Sequence, residues 1–117
     1  MFCQSEVNPV VYVATNATPT STPEPGMIRQ VLAFNSKLMI VRHNFTAGWV
    51  GARHSHPHDQ MVYVITGRIL FKSGGQSWEM GPGDSIAVDG SVEHEASAIE
   101  ASEVLDVFTP YREDYAK

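Results

Sequence analysis

The sequence contains a single cysteine, Cys3, and few basic side chains. A lone cysteine cannot form an intrachain disulfide, so a disulfide scaffold is excluded and a reducing compartment is expected. Eight lysine and arginine residues against thirteen acidic residues give a formal net charge of -5. This is the wrong sign for a protein that holds phosphate backbones, so no nucleic acid partner is expected.

Long apolar runs are also absent. The longest clean run, 61–65, is far shorter than the roughly 20 residues of a membrane span, and the N-terminus has neither the basic region nor the apolar stretch of a targeting signal. We therefore expect a cytoplasmic protein without a membrane partner. The length of 117 residues and the 43% of apolar residues predict one folded domain rather than a disordered chain.

The N-terminal 26 residues differ from the rest of the chain. Residues 15–26 combine three prolines with threonine and serine, which is typical of an extended arm. The short β-branched stretch 10–14 predicts a strand, which could join a sheet edge or be exchanged with a partner. We therefore divide the chain into an N-terminal strand and arm, 1–26, and a single barrel domain, 27–117.

After the arm, short β-rich runs recur, separated mostly by glycine, proline, asparagine and aspartate, and no window shows capped helical periodicity. The predicted strands are 27–34, 37–45, 60–66, 68–72, 76–80, 85–88, 92–98 and 103–109. Eight short antiparallel strands in a chain of this size predict an all-β fold, either a small barrel or a double-sheet jelly roll.

Two of these strands are apolar on both faces. In 103–109, Val104 and Phe108 share one face while Leu105 and Val107 share the other, and 60–66 has the same character. One face can fill the barrel, but the other also needs cover. A homodimer formed by sheet packing is the simplest source of that cover, and a tail folded over the sheet is the alternative.

Four of the five histidines fall in two places, RHSHPHDQ and SVEHEAS. On a strand, His54, His56 and Gln60 would project to the same side, and His94 lies on a later strand. Imidazole nitrogens with an amide oxygen suit a divalent transition metal, whereas a single histidine would more simply be a hydrogen-bonded structural residue. Pro57 interrupts the strand, so parity does not predict the direction of the ambiguous His58.

The C-terminal segment DVFTPYREDY concentrates further polar and aromatic residues. Asp106 and Phe108 share a strand face, and Thr109-Pro110 ends the strand so that Arg112 lies just beyond it. The alternative is that Asp106 points outward and that Arg112 pairs with a neighbouring surface carboxylate.

These motifs resemble those of the cupin superfamily. Gly48-(X)5-His54-X-His56-(X)3-Gln60-(X)6-Gly67 resembles the first cupin motif, with glutamine where glutamate is usual. The resemblance implies a double-stranded β-helix, the cupin jelly-roll barrel. It also implies that one divalent ion, Zn, Ni, Fe or Mn, is held by His54, His56, Gln60 and His94.

The second motif is weaker. It begins at Gly83 and keeps His94 in register, but Asp89 replaces the usual proline, Ser91 the usual glycine and Ala98 the closing asparagine. These departures affect the turn before His94 rather than the ligand itself.

HSHPHDQ, PGMIRQVL and the C-terminal segment together resemble the KdgF-type cupins of pectin and alginate breakdown. That resemblance implies conversion of 4,5-unsaturated monouronates, which are small anionic sugars, into linear 4-deoxy-5-keto uronates without net redox change. Asp106, Phe108 and Arg112 are its implied functional residues. Arg29 and Arg53 are weaker candidates for anion binding, and Arg53 is expected to point outward because it neighbours His54 on a strand.

Four neutral ligands would leave the charge of the ion uncompensated, which favours Lewis-acid chemistry on an anionic substrate. Two alternatives remain. One is a small metal-dependent cupin dioxygenase, which keeps the same ligands but leaves Asp106 and Arg112 without an obvious task. The other is a non-catalytic barrel that binds or senses sugar acids.

Overall fold

The computed structural model describes residues 9–116. Their regular structure consists of one short 3-10 turn, Thr15–Ala17, and eight strands. The strands are β1 Met27–Phe34, β2 Met39–Phe45, β3 Asp59–Thr66, β4 Ile69–Ser73, β5 Gln76–Met80, β6 Ser85–Val88, β7 Glu95–Ala98 and β8 Ser102–Thr109. The predicted all-β fold is confirmed. Among the described residues, no helix is long and apolar enough to cross a membrane.

The strands form two antiparallel sheets. One sheet has the order β1-β2-β8-β3-β6 and the other β5-β4-β7. Strands distant in sequence are therefore neighbours, as β8 lies between β2 and β3. This arrangement confirms the predicted jelly-roll barrel, and it brings the C-terminal strand to the centre of the larger sheet.

The barrel interior is filled by alternate residues of its strands. Buried and half-buried residues alternate throughout β2 and along β8 up to its exposed last residue, as the two-residue period of a strand requires. The apolar core includes Val41, Val64, Phe71 and Val104, each at most 2% exposed. The same inward face of β2 and β8 also carries three polar residues, His43, Ser102 and Asp106, each 5% exposed.

The arm departs from the prediction at 10–14, where no strand forms. The described part of the arm pairs with the sheet at one isolated bridge, Ser21 to Arg29 on β1. Farther along, the Gln30 side chain donates hydrogen bonds to the carbonyls of Thr15 and Thr18, at 2.8 and 3.0 Å. The hydrogen bonds of the Gln30 side chain thus hold the 3-10 turn against β1, where a continuous ladder of backbone hydrogen bonds would otherwise be needed. The remainder of the predicted arm, including Cys3, lies outside the described residues.

The outer face of the larger sheet is covered only in part. The arm buries Gln30 to 6% exposure, while Met61 and Tyr63 on β3 remain 58% and 48% exposed. Leu105 and Val107 of β8 lie opposite them in register and are half-buried. The predicted two-sided apolar character of β3 and β8 is therefore present in the structure.

We expect a second copy of the chain to cover this face, because contiguous exposed apolar surface favours association. Light scattering at micromolar concentration should give twice the 12.9 kDa chain mass. Met61→Lys together with Tyr63→Lys should shift the mass to that of one chain, whereas Trp78→Lys on the other sheet should not. A wild-type mass of one chain would contradict the homodimer.

Candidate metal centre

A cavity of about 290 Å³ lies between the two sheets, at one end of the barrel. Its lining combines aromatic and apolar side chains with a few polar ones that converge from separate strands. Its polar lining residues include Arg29, His43, His54, Gln60, His94, Asp106, Arg112 and Tyr115. Phe45 and Trp49 stack on each other at 4.0 Å in its wall. A mostly apolar cavity with a small convergent polar set is typical of a small-molecule site.

Three histidines meet beside this cavity, and His54 and His94 line it. His54 and His94 form an isolated backbone bridge with hydrogen bonds of 3.0 and 2.9 Å in the two directions, and His56 follows on the same segment. One ring nitrogen of each of the three lies within 4.8 Å of the others. His56 and His94 are 8% and 3% exposed, while His54 is exposed. The structure therefore brings the histidines of the two motifs together.

The backbone fixes the tautomer of each ring. The Nδ1 atoms of His54, His56 and His94 lie 2.9, 3.1 and 2.9 Å from the carbonyl oxygens of Ala52, His58 and Val92. Only a protonated Nδ1 can bond a carbonyl, so Nε2 carries the lone pair in each neutral ring.

The Nε2 atom of His94 is buried and has no hydrogen-bond partner among the described residues. A buried lone pair without a partner costs free energy unless something else accepts its electrons. A metal ion would do so.

Gln60 completes the set. Its amide nitrogen donates to Asp106 at 2.9 Å, which turns its oxygen toward His56 Nε2, also at 2.9 Å. Both facing atoms are then acceptors, so they do not form an ordinary hydrogen bond. Two ligand atoms that each lie about 2.1 Å from the same ion and subtend a right angle at it are about 3 Å apart. The separation of the Gln60 oxygen and His56 Nε2 matches this distance. The residues present therefore fit a divalent metal ion held by three imidazoles and one amide.

The surroundings keep the buried imidazoles neutral. Burial, followed by the charges of Arg112 and His94, lowers the pKa of His56. Burial, followed by the charges of His54 and Arg112, also lowers the pKa of His94. Neutral imidazole is the form that binds metals, so both rings are available as ligands at neutral pH.

Two residues near the motif lie outside this set. His58 is half-buried, and its ring faces Phe108 at 6.4 Å rather than joining the three-histidine group. Its carbonyl, however, orients His56. Arg53 is exposed and donates to Glu95 at 2.9 Å, as expected for a side chain that points away from the cavity.

The turn before His94 is preserved despite its unusual residues. Gly90 lies so close to the Pro57 carbonyl that a Cβ atom there would clash, and the Ser91 amide donates to His56 O at 2.6 Å. These contacts join the two motifs. Ser91 adopts a positive φ of 68°, which explains why glycine is the usual residue in the motif.

Ser91→Gly should therefore stabilise the protein by about 0.5–1 kcal/mol, since the left-handed conformation costs an L-residue about 1–2 kcal/mol and glycine loses part of that gain as chain entropy. Urea unfolding measures the change. Ser77→Gly on strand β5 is the matched control and should destabilise. Equal effects at both positions would contradict this explanation.

The C-terminal residues reach the cavity from β8 and the segment after it. Asp106 is buried and points inward, and Phe108 is 1% exposed and packs edge-on against His56 at 5.7 Å. Arg112 lies over the Phe108 ring at 5.1 Å. Its guanidinium also donates to Asp114 at 3.2 and 2.7 Å, and this pairing lowers the pKa of Asp114. Arg112 therefore lines the cavity and holds a carboxylate at the same time.

Two arginine side chains pack against the ring of Tyr115. The guanidinium carbons of Arg29 and Arg112 lie 3.8 and 4.0 Å from the centre of the Tyr115 ring, and burial raises the pKa of Tyr115. Two guanidinium groups at one end of a cavity in a chain of net charge -5 create a local site for an anion. No sequence motif singles out Tyr115, and the sequence alone makes Arg29 only a weaker candidate.

Fold and site together define a small β-barrel protein with a three-histidine cluster that fits a divalent metal ion. The cupin domain family matches residues 41–108, and the chain belongs to the cupins. A search of the curated proteins found no match.

Among solved structures, KdgF from Halomonas sp. is similar, with 32% sequence identity, a TM-score of 0.86, and coverage of 91% of this chain and 98% of that one. An RmlC-like cupin from Shewanella frigidimarina gives the same identity and TM-score over 91% and 96% of the two chains. Ectoine synthase from P. lautus shares the fold alone, with 18% identity, a TM-score of 0.76, and coverage of 86% and 78%. The chain is thus a cupin that resembles KdgF, and enzymes occur among its structural relatives.

Proposed function

We propose that this cupin is a metal-dependent enzyme that converts 4,5-unsaturated monouronates into linear 4-deoxy-5-keto uronates. One observation carries the proposal: Asp106, Phe108 and Arg112 line the same cavity as His54 and His94 of the three-histidine cluster. The similarity to KdgF from Halomonas sp. supports it. The cavity of about 290 Å³ is near the lower end of the range of about 300–1,000 Å³ for ligand sites, which suits a monosaccharide.

The reaction needs one group that accepts and returns a proton. The proton leaves the anomeric hydroxyl, a C1=O bond forms, and the bond between C1 and the ring oxygen breaks. The resulting enolate receives a proton at carbon 4 and becomes a ketone at carbon 5. No electrons are gained or lost overall, so one carboxylate can serve both steps.

Asp106 is the carboxylate placed for this task, because it is buried in the cavity beside Gln60. When bound, the metal supplies Lewis acidity that polarises the oxygen atoms of the substrate. Phe108 forms an apolar wall beside His56 and limits the orientations of the sugar ring.

Arg112 is suited to bind the carboxylate of the substrate, since its guanidinium already holds that of Asp114 through two nitrogens. Asp114 is exposed, with 58% of its side chain accessible, so an incoming anion can replace it at small cost.

Arg112→Ala should raise KM about 10-fold or more with a smaller change in kcat, because a charged hydrogen-bonded pair contributes about 1.5–3 kcal/mol to ground-state and transition-state binding alike. Steady-state kinetics measures both constants. Arg112→Lys keeps the positive charge but lacks the planar guanidinium with its paired donors. Its KM should therefore lie between those of the wild type and Arg112→Ala. An unchanged KM would show that another group holds the carboxylate.

The experiment that tests the proposal adds the purified protein to 4,5-unsaturated galacturonate or to its alginate-derived counterpart. The ultraviolet absorbance of the conjugated double bond should fall faster than in the uncatalysed control, without oxygen uptake, and prior treatment with a chelator should slow it. A decay no faster than the control on both substrates would refute the proposal. Oxygen consumption would favour a dioxygenase instead.

A further inference from the structure

The fifth histidine, His43, lies on strand β2 in the wall of the cavity, outside the metal cluster. Its ring is 5% exposed and stacks on Phe45 at 5.6 Å, and Tyr115 packs edge-on against it at 6.4 Å. A buried imidazole in a site of this kind requires partners for both nitrogens. The structure supplies one on each side.

The two partners fix the state of the ring. Arg29 Nε donates to His43 Nε2 at 3.0 Å. Since an arginine Nε–H can only donate, Nε2 must carry a lone pair. The ring is then neutral with its hydrogen on Nδ1, and that hydrogen bonds Asp106 Oδ2 at 2.6 Å.

The second oxygen of Asp106 is held from the opposite side, where the Gln60 amide donates to Oδ1 at 2.9 Å. Both carboxylate oxygens therefore accept a hydrogen bond from a buried or half-buried side chain. The resulting chain runs from Arg29 through His43 and Asp106 to Gln60, which itself faces His56 of the metal cluster. These hydrogen bonds connect Arg29 in the cavity lining to Gln60 beside the metal cluster.

We propose that His43 is a positioning residue, which holds the Asp106 carboxylate in the orientation for proton transfer and is itself locked in the Nδ1–H tautomer by Arg29. The inference rests on the proposed function, because it assigns a task to Asp106. The logic is that of a base oriented by a third group. His43 lies outside the metal cluster, and Arg29 and Asp106 take up both of its ring nitrogens, so it acts through Asp106.

Two variants test the role in turnover. His43→Phe keeps a flat ring against Phe45 but removes both hydrogen bonds, and kcat should fall about 10–100-fold, the usual cost of losing an orienting partner. KM should change less than about 2-fold, because Arg112 rather than His43 binds the substrate.

His43→Asn places an amide nitrogen close to the former Nδ1 position, so it can again donate to Asp106. It should recover a large part of kcat although it fills the space less well than phenylalanine. Metal content should be unchanged in both variants. Equal loss in the two variants, or a loss explained by lost metal, would overturn the positioning role.

A spectroscopic measurement tests the inference without substrate. In protein without paramagnetic metal, ¹⁵N-imidazole NMR should show His43 as a neutral ring protonated at Nδ1, with a downfield Nδ1 proton that is protected from solvent and is lost in Asp106→Ala. A ring protonated at Nε2, or at both nitrogens, would overturn the inference even if uronates are turned over. The expected spectrum in a protein that does not accept uronates would instead refute the proposed function and leave the orientation of Asp106 by His43 standing.

Discussion

Asp106→Asn is expected to lower kcat by about 10²–10⁴-fold, the typical contribution of a positioned acid or base. The amide keeps the shape of the carboxylate but can neither accept the anomeric proton nor return one to carbon 4. One of the two donors that face Asp106, His43 or Gln60, would also meet an NH₂ group instead of an oxygen. Steady-state kinetics on an unsaturated monouronate measures the loss.

The metal content of Asp106→Asn should match that of the wild type, because Asp106 lies outside the three-histidine cluster. Glu79→Gln, a surface carboxylate paired with Arg68, serves as the control and should retain full activity. Activity of Asp106→Asn within about 3-fold of the wild type would remove Asp106 from the reaction, since a general acid–base group contributes far more.

His94→Ala is expected to abolish stoichiometric metal binding. The wild type should carry about one divalent ion per chain, because the Nε2 atom of His94 is buried without a partner and faces two further imidazoles. Metal at about 100 times its dissociation constant adds about 2.7 kcal/mol to stability, which corresponds to roughly 10 °C in Tm for a domain of this size. Elemental analysis and thermal unfolding with and without added metal measure both effects.

His58→Ala is the matched control, because His58 lies outside the cluster although it neighbours it in sequence. It should keep its metal and most of the metal-dependent rise in Tm. A wild-type protein free of metal after purification without chelator, together with no rise in Tm on adding any of the candidate ions, would contradict the metal centre.

Much of this site could be predicted because its residues obey short-range rules. The even spacing of His54 and His56 predicted that both point to one side, although only His54 takes part in a bridge and β3 begins at Asp59. The parity of β8 placed Asp106 and Phe108 on one face. The resemblance to the two cupin motifs implied that the segment of His54 and His56 meets that of His94. The backbone bridge between His54 and His94 is the physical counterpart of that spacing.

The polar chain behind Asp106 could not be predicted in the same way. His43 and Asp106 are 63 residues apart in sequence, and they meet because β8 inserts between β2 and β3. Nothing in the sequence around His43 distinguishes it from a core histidine. Its role depends on strand order, which local patterns do not encode.

The arm was mispredicted for a related reason. The β-branched stretch 10–14 has the composition of a strand, but a strand forms only where an edge offers a continuous ladder. Ser21 pairs with Arg29 on β1, while Gln30 takes up the carbonyls of Thr15 and Thr18 through its side chain. Tertiary contacts of this kind override local propensity.

The central claim is that a carboxylate of this protein protonates carbon 4 of an unsaturated uronate, and the product formed in D₂O tests it most directly. Asp106 is held in one wall of the cavity and should deliver its deuteron to one face of the sugar. NMR of the product should therefore show one deuterium at carbon 4 in a single stereochemical position, formed at a rate proportional to protein concentration. An equal mixture of both positions, formed at the uncatalysed rate, would contradict the account.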